Sequence, residues 1–258
     1  MIKITGSIIK KIKKPLAKAH KGDNGILTII AGSKKYHGAP LLAINIASRF
    51  VDLVYFYSNA ENQKLANKLK LKSSCFINIT NEVNLETSLL KSDAILIGSG
   101  LEVNKKNKLL INKIIKKNKN KKFILDAGAL AIINKINLSH NIIITPHADE
   151  YKQLFGKMSP LEVVKKYKIT LVLKGKTDIV ATSKKMYYNT TGNSGMTKGG
   201  TGDVLAGLIA ALACNNNALL ASCAGVYLNG LAGDALKKKV GYFYNADDLL
   251  KIIPQFIK

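Results

Sequence analysis

Residues 25–50 read GILTIIAGSKKYHGAPLLAINIASRF. The first seven form a short, continuous apolar run rich in β-branched residues, the pattern of a parallel strand buried on both faces. Residues 32–38 follow as a loop, and residues 39–50 carry apolar side chains at helical spacing. A strand, a loop and a helix in that order make the first half of a right-handed βαβ unit.

The cycle repeats along the chain. Residues 53–57 read as strand, 61–69 as helix, 75–79 and 94–97 as strands, 105–117 as helix, and 123–125 and 142–144 as short buried strands. Such alternation predicts an α/β fold with a parallel sheet covered by helices on both faces. From residue 170 the pattern changes, and strands at 170–173, 178–181 and 186–189 follow one another directly, which predicts an antiparallel edge. The last third reads as helix at 203–214, 218–237 and 246–253. No linker, low-complexity tract or repeat interrupts residues 1–258, which read as a single domain.

Composition narrows the class. With 258 residues, 47% hydrophobic and 22% charged, the chain can bury a full core without disulfides or metals, as a soluble globular protein does. No stretch approaches the roughly eighteen uninterrupted apolar residues of a membrane span. The basic start, MIKITGSIIKKIKKPLAKAHKGD, mixes lysine with isoleucine and reads as a solvated helix with an apolar inner face, not as a secretory signal or a membrane-surface helix. Cys75, Cys214 and Cys223 are odd in number and lack Cys-x-x-Cys spacing, so neither a disulfide framework nor a zinc site is expected, and a reducing cytoplasm fits. His20, His37, His140 and His147 show no metal-ligand spacing.

The net charge of +24 raises nucleic acid as a partner, but the details argue against it. Arg49 is the one arginine, so the bidentate forks that read phosphate and guanine are nearly absent, and no aromatic residues interleave the lysines to stack bases. The lysines read as a compositional bias whose field also favours an anionic small substrate.

In open parallel sheets ligands gather beyond the carboxyl ends of the strands. That rule selects residues 31–40, 98–101, 125–130 and 145–150, together with the glycine loop NSGMTKGGTGDVLAGL at 193–208. In the last, Gly195, Gly199, Gly200 and Gly202 precede Asp203 and an apolar helical run. Glycine admits close backbone approach and a helix start offers unpaired N–H donors, so the stretch predicts a phosphate site, with Asp203 as cap or catalyst. GSGLEV at 98–103 lacks the third glycine of a dinucleotide fingerprint, and no loop ends in the Gly-Lys-Ser/Thr of a P-loop. Lys174 and Gly175 close a predicted strand either as a cation beside a close-approach glycine or as an ordinary turn. His147, after Thr145 and Pro146, either starts a helix or, the reading favoured beside Asp149 and Glu150, faces a ligand, and Asp126 either orients a ligand or caps the segment from Ala127.

Taken in order, HKGDNG, AGSKKYHGAPLLA, GSGL, TPHADEYKQLFG, VLKGKTD, NTTGNSGMTKGGTGDVLAGLIAAL and YLNGLAGD resemble the ADP-dependent NAD(P)H-hydrate dehydratases of the ribokinase-like superfamily, from His20 to about Asp234. The resemblance implies a ribokinase-like three-layer α/β/α sandwich and an enzyme that returns the S-epimer of hydrated NADH or NADPH to the reduced nucleotide, driven by conversion of ADP to AMP and phosphate. It implies that Ala39, Gly100, His147 and Asp203 contact the hydrated dinucleotide, and that Lys174, Gly175, Lys176, Thr177, Asp178 and Gly202 contact the adenine nucleotide. Asp203 is then the general base, magnesium is expected on the phosphates, and a homotetramer is suggested. The epimerase domain fused to many relatives is not in this sequence, so one epimer of the hydrate is the expected substrate. Four positions depart from the family pattern: Gly128 stands for a second aspartate, Ser99 for proline, Glu102 for glycine and Asn229 for histidine. The glycine loop is shared with ribokinase-like kinases of hydroxymethylpyrimidine or thiazole alcohols, the alternative enzyme reading.

Overall fold

A computed structural model describes all residues except 16, 71–74 and 258. Among the described residues the strands are β1 Ile2–Lys3, β2 Ile26–Ile30, β3 Leu53–Tyr57, β4 Ile77–Ile79, β5 Ala94–Ile97, β6 Lys122–Leu125, β7 Ile142–Ile144, β8 Thr170–Leu173, β9 Asp178–Ala181 and β10 Met186–Asn189. They form one sheet in the order β1-β10-β9-β8-β7-β6-β5-β2-β3-β4. From β4 to β8 every neighbouring pair is parallel, whereas β9 runs antiparallel to both β8 and β10, giving the antiparallel edge expected from the sequence.

Helices cover both faces because the strands are apolar on both. Ala94 and Leu96 of β5 enter one core and Ile95 and Ile97 the other, the two-residue period of a pleated strand. The first core lies under α1 Gly38–Ala47, α2 Ala60–Leu69, α8 Thr201–Asn215, α9 Ala218–Val240 and α10 Ala246–Ile252. The second lies under α3 Glu82–Lys91, α4 Lys105–Lys117, α5 Gly128–Ile132, α6 Ala148–Phe155 and α7 Pro160–Tyr167. The three-layer α/β/α arrangement follows directly.

Asparagine does much of the punctuation. Asn59, Asn81, Asn104, Asn217 and Asn245 each stand at a helix start and accept from the backbone N–H three residues on. Each such cap satisfies a donor that the first turn cannot, worth about 1 kcal/mol. Helix α9 is long and apolar enough by composition to cross a bilayer, but 67% of its most apolar window is buried against its neighbours.

The amino-terminal segment departs from expectation. In place of a helix, β1 pairs in parallel with β10, Ile4 N donates to the Tyr188 carbonyl at 2.9 Å, and residues Gly6–Lys11 make only a 3-10 turn. Its isoleucines reach the core all the same: Ile4 and Ile12 are buried and Ile8 and Ile9 partly so. Sheet-edge pairing satisfies the backbone here, so no α-helical ladder is needed. The sequence reading also missed α3, α5, α6 and α7 as helices; all four are ten residues or shorter.

The tightest helix contact is between α1 and α8. A Cβ added at Gly207 would stand 2.7 Å from Ile46 Cγ2 and 2.8 Å from the backbone of Ala43. The Ala43 backbone cannot swing aside, so Gly207→Ala is expected to lower stability by about 1–3 kcal/mol through overpacking, even though alanine favours helix by about 1 kcal/mol. A drop in the urea midpoint checks this; an unchanged or higher midpoint would show that the helices can part freely.

Candidate active site

The carboxyl ends of β2, β5, β6, β7 and β8 open onto one side of the sheet, and their loops are locked together by glycine. Gly98 has φ +129°, and a Cβ there would lie 1.8 Å from the Asp126 carbonyl oxygen. At Gly128 a Cβ would lie 2.1 Å from the Leu101 carbonyl oxygen. The loops after β5 and β6 therefore touch backbone to backbone, and Gly128 is glycine because no side chain fits there. Between them Ala127 sits at φ +43° and ψ −119°, a conformation costing a non-glycine residue about 1–3 kcal/mol.

The glycine loop reaches the same place from the other side of the sheet. Asp234 on α9 anchors its start, accepting from Gly192 N at 2.9 Å and Asn193 Nδ2 at 3.1 Å. Asn193 Oδ1 accepts in turn from Gly195 N and from the Tyr244 hydroxyl. Lys198 Nζ donates to the carbonyls of Tyr242 and Tyr244, and Thr201 Oγ1 to the carbonyls of Met196 and Lys198. Gly200 then caps α8 at φ +94°, which places Gly202 and Asp203 in its first turn. Those N–H groups have no carbonyl one turn earlier, so they form a positive anion-binding end.

Three charged side chains meet in front of that turn. Lys174 Nζ donates to Asp126 Oδ1 at 2.9 Å, and Thr145 Oγ1 donates to the same oxygen at 2.7 Å. Asp126 is 2% exposed, and a Cβ added at Gly202 would lie 3.6 Å from Lys174 Nζ. Burial opposes the lysine's charge, but Asp126, with Glu150 and Asp203 farther off, holds its pKa above the ordinary value. Burial pushes the Asp203 carboxyl up, the Asp126 charge adds to this, and the Ser99 hydroxyl and Lys174 pull against them, leaving it at about 6.

A cavity of about 640 Å³ opens beside Asp203. It brings together Ala39, Gly100 and Asp203 of the expected dinucleotide contacts and adds Tyr36, Leu101 and Glu150, which the sequence reading did not single out. His147 is not part of that lining. Its Nδ1 accepts from Asp149 N at 3.2 Å and Glu150 N at 3.5 Å, and its own N–H donates to Glu150 Oε2, so it caps α6 and fixes Glu150. Of the expected nucleotide contacts, Lys174 lies against Gly202, while Gly175, Lys176 and Thr177 form an exposed turn. Asp178 closes that turn, accepting from Gly175 N and Asn189 Nδ2, both at 3.1 Å. Asp126, left open between ligand and cap, is the partner of Lys174; Ser99 was noted only as a departure.

Among the described residues no three His, Cys, Asp or Glu stand close enough to hold a metal. The donor set therefore fits magnesium only as an ion brought in on nucleotide phosphates, where it keeps most of its waters.

The raised carboxyl pKa has a consequence for stability. An acid with a pKa of about 6 when folded and about 3.9 when unfolded gives its full stabilisation below pH 4 and loses it as pH rises through 6. Asp203→Asn is therefore expected to raise stability at pH 8 by on the order of 1–3 kcal/mol and to give no comparable gain below about pH 4. Thermal melts of the two proteins across that range check this, and a variant less stable at pH 8 would contradict it.

A family model described as NAD(P)H-hydrate dehydratase matches residues 27–255. The bifunctional NAD(P)H-hydrate repair enzyme Nnr of Methanocaldococcus jannaschii is 38% identical over 97% of this chain and 51% of its own length. The chain thus spans about half the length of the bifunctional relatives it matches. The ADP-dependent (S)-NAD(P)H-hydrate dehydratase of Nitrosopumilus maritimus is 33% identical over 99% of this chain and 96% of its own length. In fold the chain is similar to a ribokinase-like superfamily protein of Enterococcus faecalis, with a TM-score of 0.90 at 24% identity, covering 99% and 95% of the two chains. With the family model spanning nearly the whole sheet and the glycine loop, and a relative matched end to end, this chain belongs to the NAD(P)H-hydrate dehydratase family.

Proposed function

We propose that this protein removes water from the S-epimer of hydrated NADH or NADPH, coupled to conversion of ADP to AMP and phosphate. The observation that carries the reading is the Asp203 carboxylate at the first turn of α8, open to the cavity and raised to a pKa of about 6, with Lys174 against the neighbouring Gly202.

Hydroxide is a poor leaving group, which is why a dehydration consumes a nucleotide. In the proposed sequence the hydrate lies in the cavity with its hydroxyl at Asp203, and the terminal phosphoryl of ADP lies on the first turn of α8. Asp203 takes the hydroxyl proton as the oxygen attacks that phosphorus, and AMP departs. The C–O bond of the resulting phosphate ester then breaks, phosphate carries away its electron pair, and loss of a ring proton completes the double bond. A carboxylate of pKa about 6 is mostly ionised at neutral pH yet more basic than an ordinary aspartate, which suits a general base. Helix N–H groups and Lys174 face the charge that develops on the phosphoryl oxygens, the main demand of this chemistry. Magnesium, when present, would add positive charge against the phosphoryl oxygens beside Lys174 and the first-turn N–H groups of α8.

Asp178 and the turn it closes shape the rim beside Lys174, which supports placing the nucleotide on that side and the hydrate on the side of Ala39 and Gly100. His147 enters this reading through Glu150, whose carboxylate it fixes at the cavity wall. We further read the protein as a cytoplasmic homo-oligomer, a tetramer by the family resemblance.

Incubation with hydrated NADH and ADP is expected to restore the near-ultraviolet absorbance of the reduced nicotinamide, with AMP and phosphate formed in equal amounts. No recovery with either ADP or ATP, together with phosphorylation of a hydroxymethylpyrimidine or thiazole alcohol, would move the assignment to a kinase. Asp203→Asn should lose turnover by at least about a hundredfold, the lower range for general-base loss, while ADP affinity holds within a few-fold. In the unaltered protein kcat/KM should fall below a midpoint of about pH 6. A flat profile through that region would argue against Asp203 as the base.

A further inference from the structure

Ser99 is wholly buried at 0% exposure, in the middle of the loop that follows β5. Its backbone is tied on every side. Gly32 N donates to the Ser99 carbonyl at 2.9 Å, Gly98 N to the Ile30 carbonyl at 3.1 Å, and Leu101 N to the Gly98 carbonyl at 2.8 Å. The flanking glycines, at φ +129° and +67°, hold the turn in a shape other residues resist.

The side chain stands in contrast to this framework. Ser99 Oγ is buried and has no hydrogen-bond partner within bonding distance among the described residues. A buried polar group left unpaired is rare, and it is an unfavourable arrangement unless the group has a task. The adjoining Gly100 lines the same cavity as Asp203, and the Ser99 hydroxyl favours the ionised form of that carboxylate. Other charged groups around that carboxylate are Asp126 from the end of β6, which disfavours ionisation, and Lys174 from the end of β8, which favours it. Glu150 on α6 faces the same Lys174. A hydroxyl beside an ionised carboxylate can act only as donor to it.

We propose that Ser99 is a positioning residue for the reaction: its hydroxyl donates to the ionised Asp203 carboxylate in the working state and holds that carboxylate turned towards the substrate hydroxyl. The proposal rests on the general-base reading of Asp203. It assigns a role to the one polar side chain of the loop that the rest of the fold leaves unpaired, and it makes Ser99 a selector for the ionised base.

The test reads Asp203 directly. With aspartate labelled by carbon-13 at the carboxyl, the Asp203 resonance is identified by its loss in Asp203→Asn and titrated in the folded protein. Ser99→Ala is expected to raise its midpoint by about 0.5–1 pH unit, the effect of one donated hydrogen bond on a carboxylate, and to move the acid limb of kcat/KM upward by the same amount. Below that midpoint the variant should be several-fold slower than the parent, and the two rates should converge at high pH. Ser99→Cys, which keeps a weak donor in nearly the same space, should fall between them. At about pH 4, where Asp203 is protonated in both proteins, Ser99→Ala should unfold at the same urea concentration as the parent or a higher one, and at pH 8 at a lower one, whereas a purely structural serine would lower the midpoint at both. Coincident titration midpoints in the parent and Ser99→Ala would overturn the proposal. Retention of full turnover by Asp203→Asn would instead remove the general-base reading, and the resonance titration would still decide whether Ser99 touches that carboxylate.

Discussion

One buried ion pair sets the electrostatics of the whole carboxyl edge of the sheet. Lys174 and Asp126 meet at 2.9 Å with little solvent on either, and the pair draws Thr145 into the same oxygen. Taking two charges out of water is repaid only when the remaining lone pairs and protons are also satisfied. Around this single ammonium stand three carboxylates, those of Asp126, Glu150 and Asp203. Asp203, which opens to the cavity with no ion pair of its own, has its pKa raised first by burial and then by the Asp126 charge. Over longer distances the field is reversed, since the chain as a whole carries +24. Such a field favours approach of anions, and at the cavity itself a carboxylate stands beside a helix start.

The pair could not exist without the sheet. Lys174 ends β8 and Asp126 ends β6, with β7 between them, and parallel strands deliver both side chains to the same edge. Glycine then decides how closely the loops above that edge approach. The contacts of Gly98 with Asp126 and of Gly128 with Leu101 bring main chain against main chain, and they leave Ala127 in a conformation only a tightly held loop sustains. Helix α8, packed on α1 through Gly207, brings the last carboxylate to the group.

Apart from β1, the strands were legible because most are short apolar runs that need no context, and the sheet edge where the cavity lies was legible because parallel sheets open clefts there. Gly202 and Asp203 could be read as a helix start from local chemistry alone. What failed did so for physical reasons. The amino-terminal segment has a helical apolar pattern, but pairing with β10, more than 180 residues later, was stronger than local preference. The short helices α3 and α6 follow caps at Asn81 and His147: a lone asparagine carries no helix signal, and at His147 the ligand reading was preferred to the helix-start reading that the structure shows. Asp126 stayed ambiguous because its partner lies 48 positions away. Ser99 carries meaning only through the absence of a partner, which no sequence pattern records. The glycine at 128, read as a departure from the family, has its reason in a carbonyl oxygen that a Cβ would strike.

The tether from Lys198 to the carbonyls of Tyr242 and Tyr244 bears on how the molecule is made. A chain emerging from the ribosome folds its amino-terminal parts first, at about 5–20 residues per second. The parallel strands β2 to β8 can pair as they appear, yet the loop that presents Gly202 is fastened by residues close to the carboxyl terminus, and Asn193 also waits for the Tyr244 hydroxyl. Between synthesis of Asp203 and synthesis of Tyr244 the glycine loop lacks these anchors. The glycine loop thus takes its final shape only once residues about forty positions further on are in place.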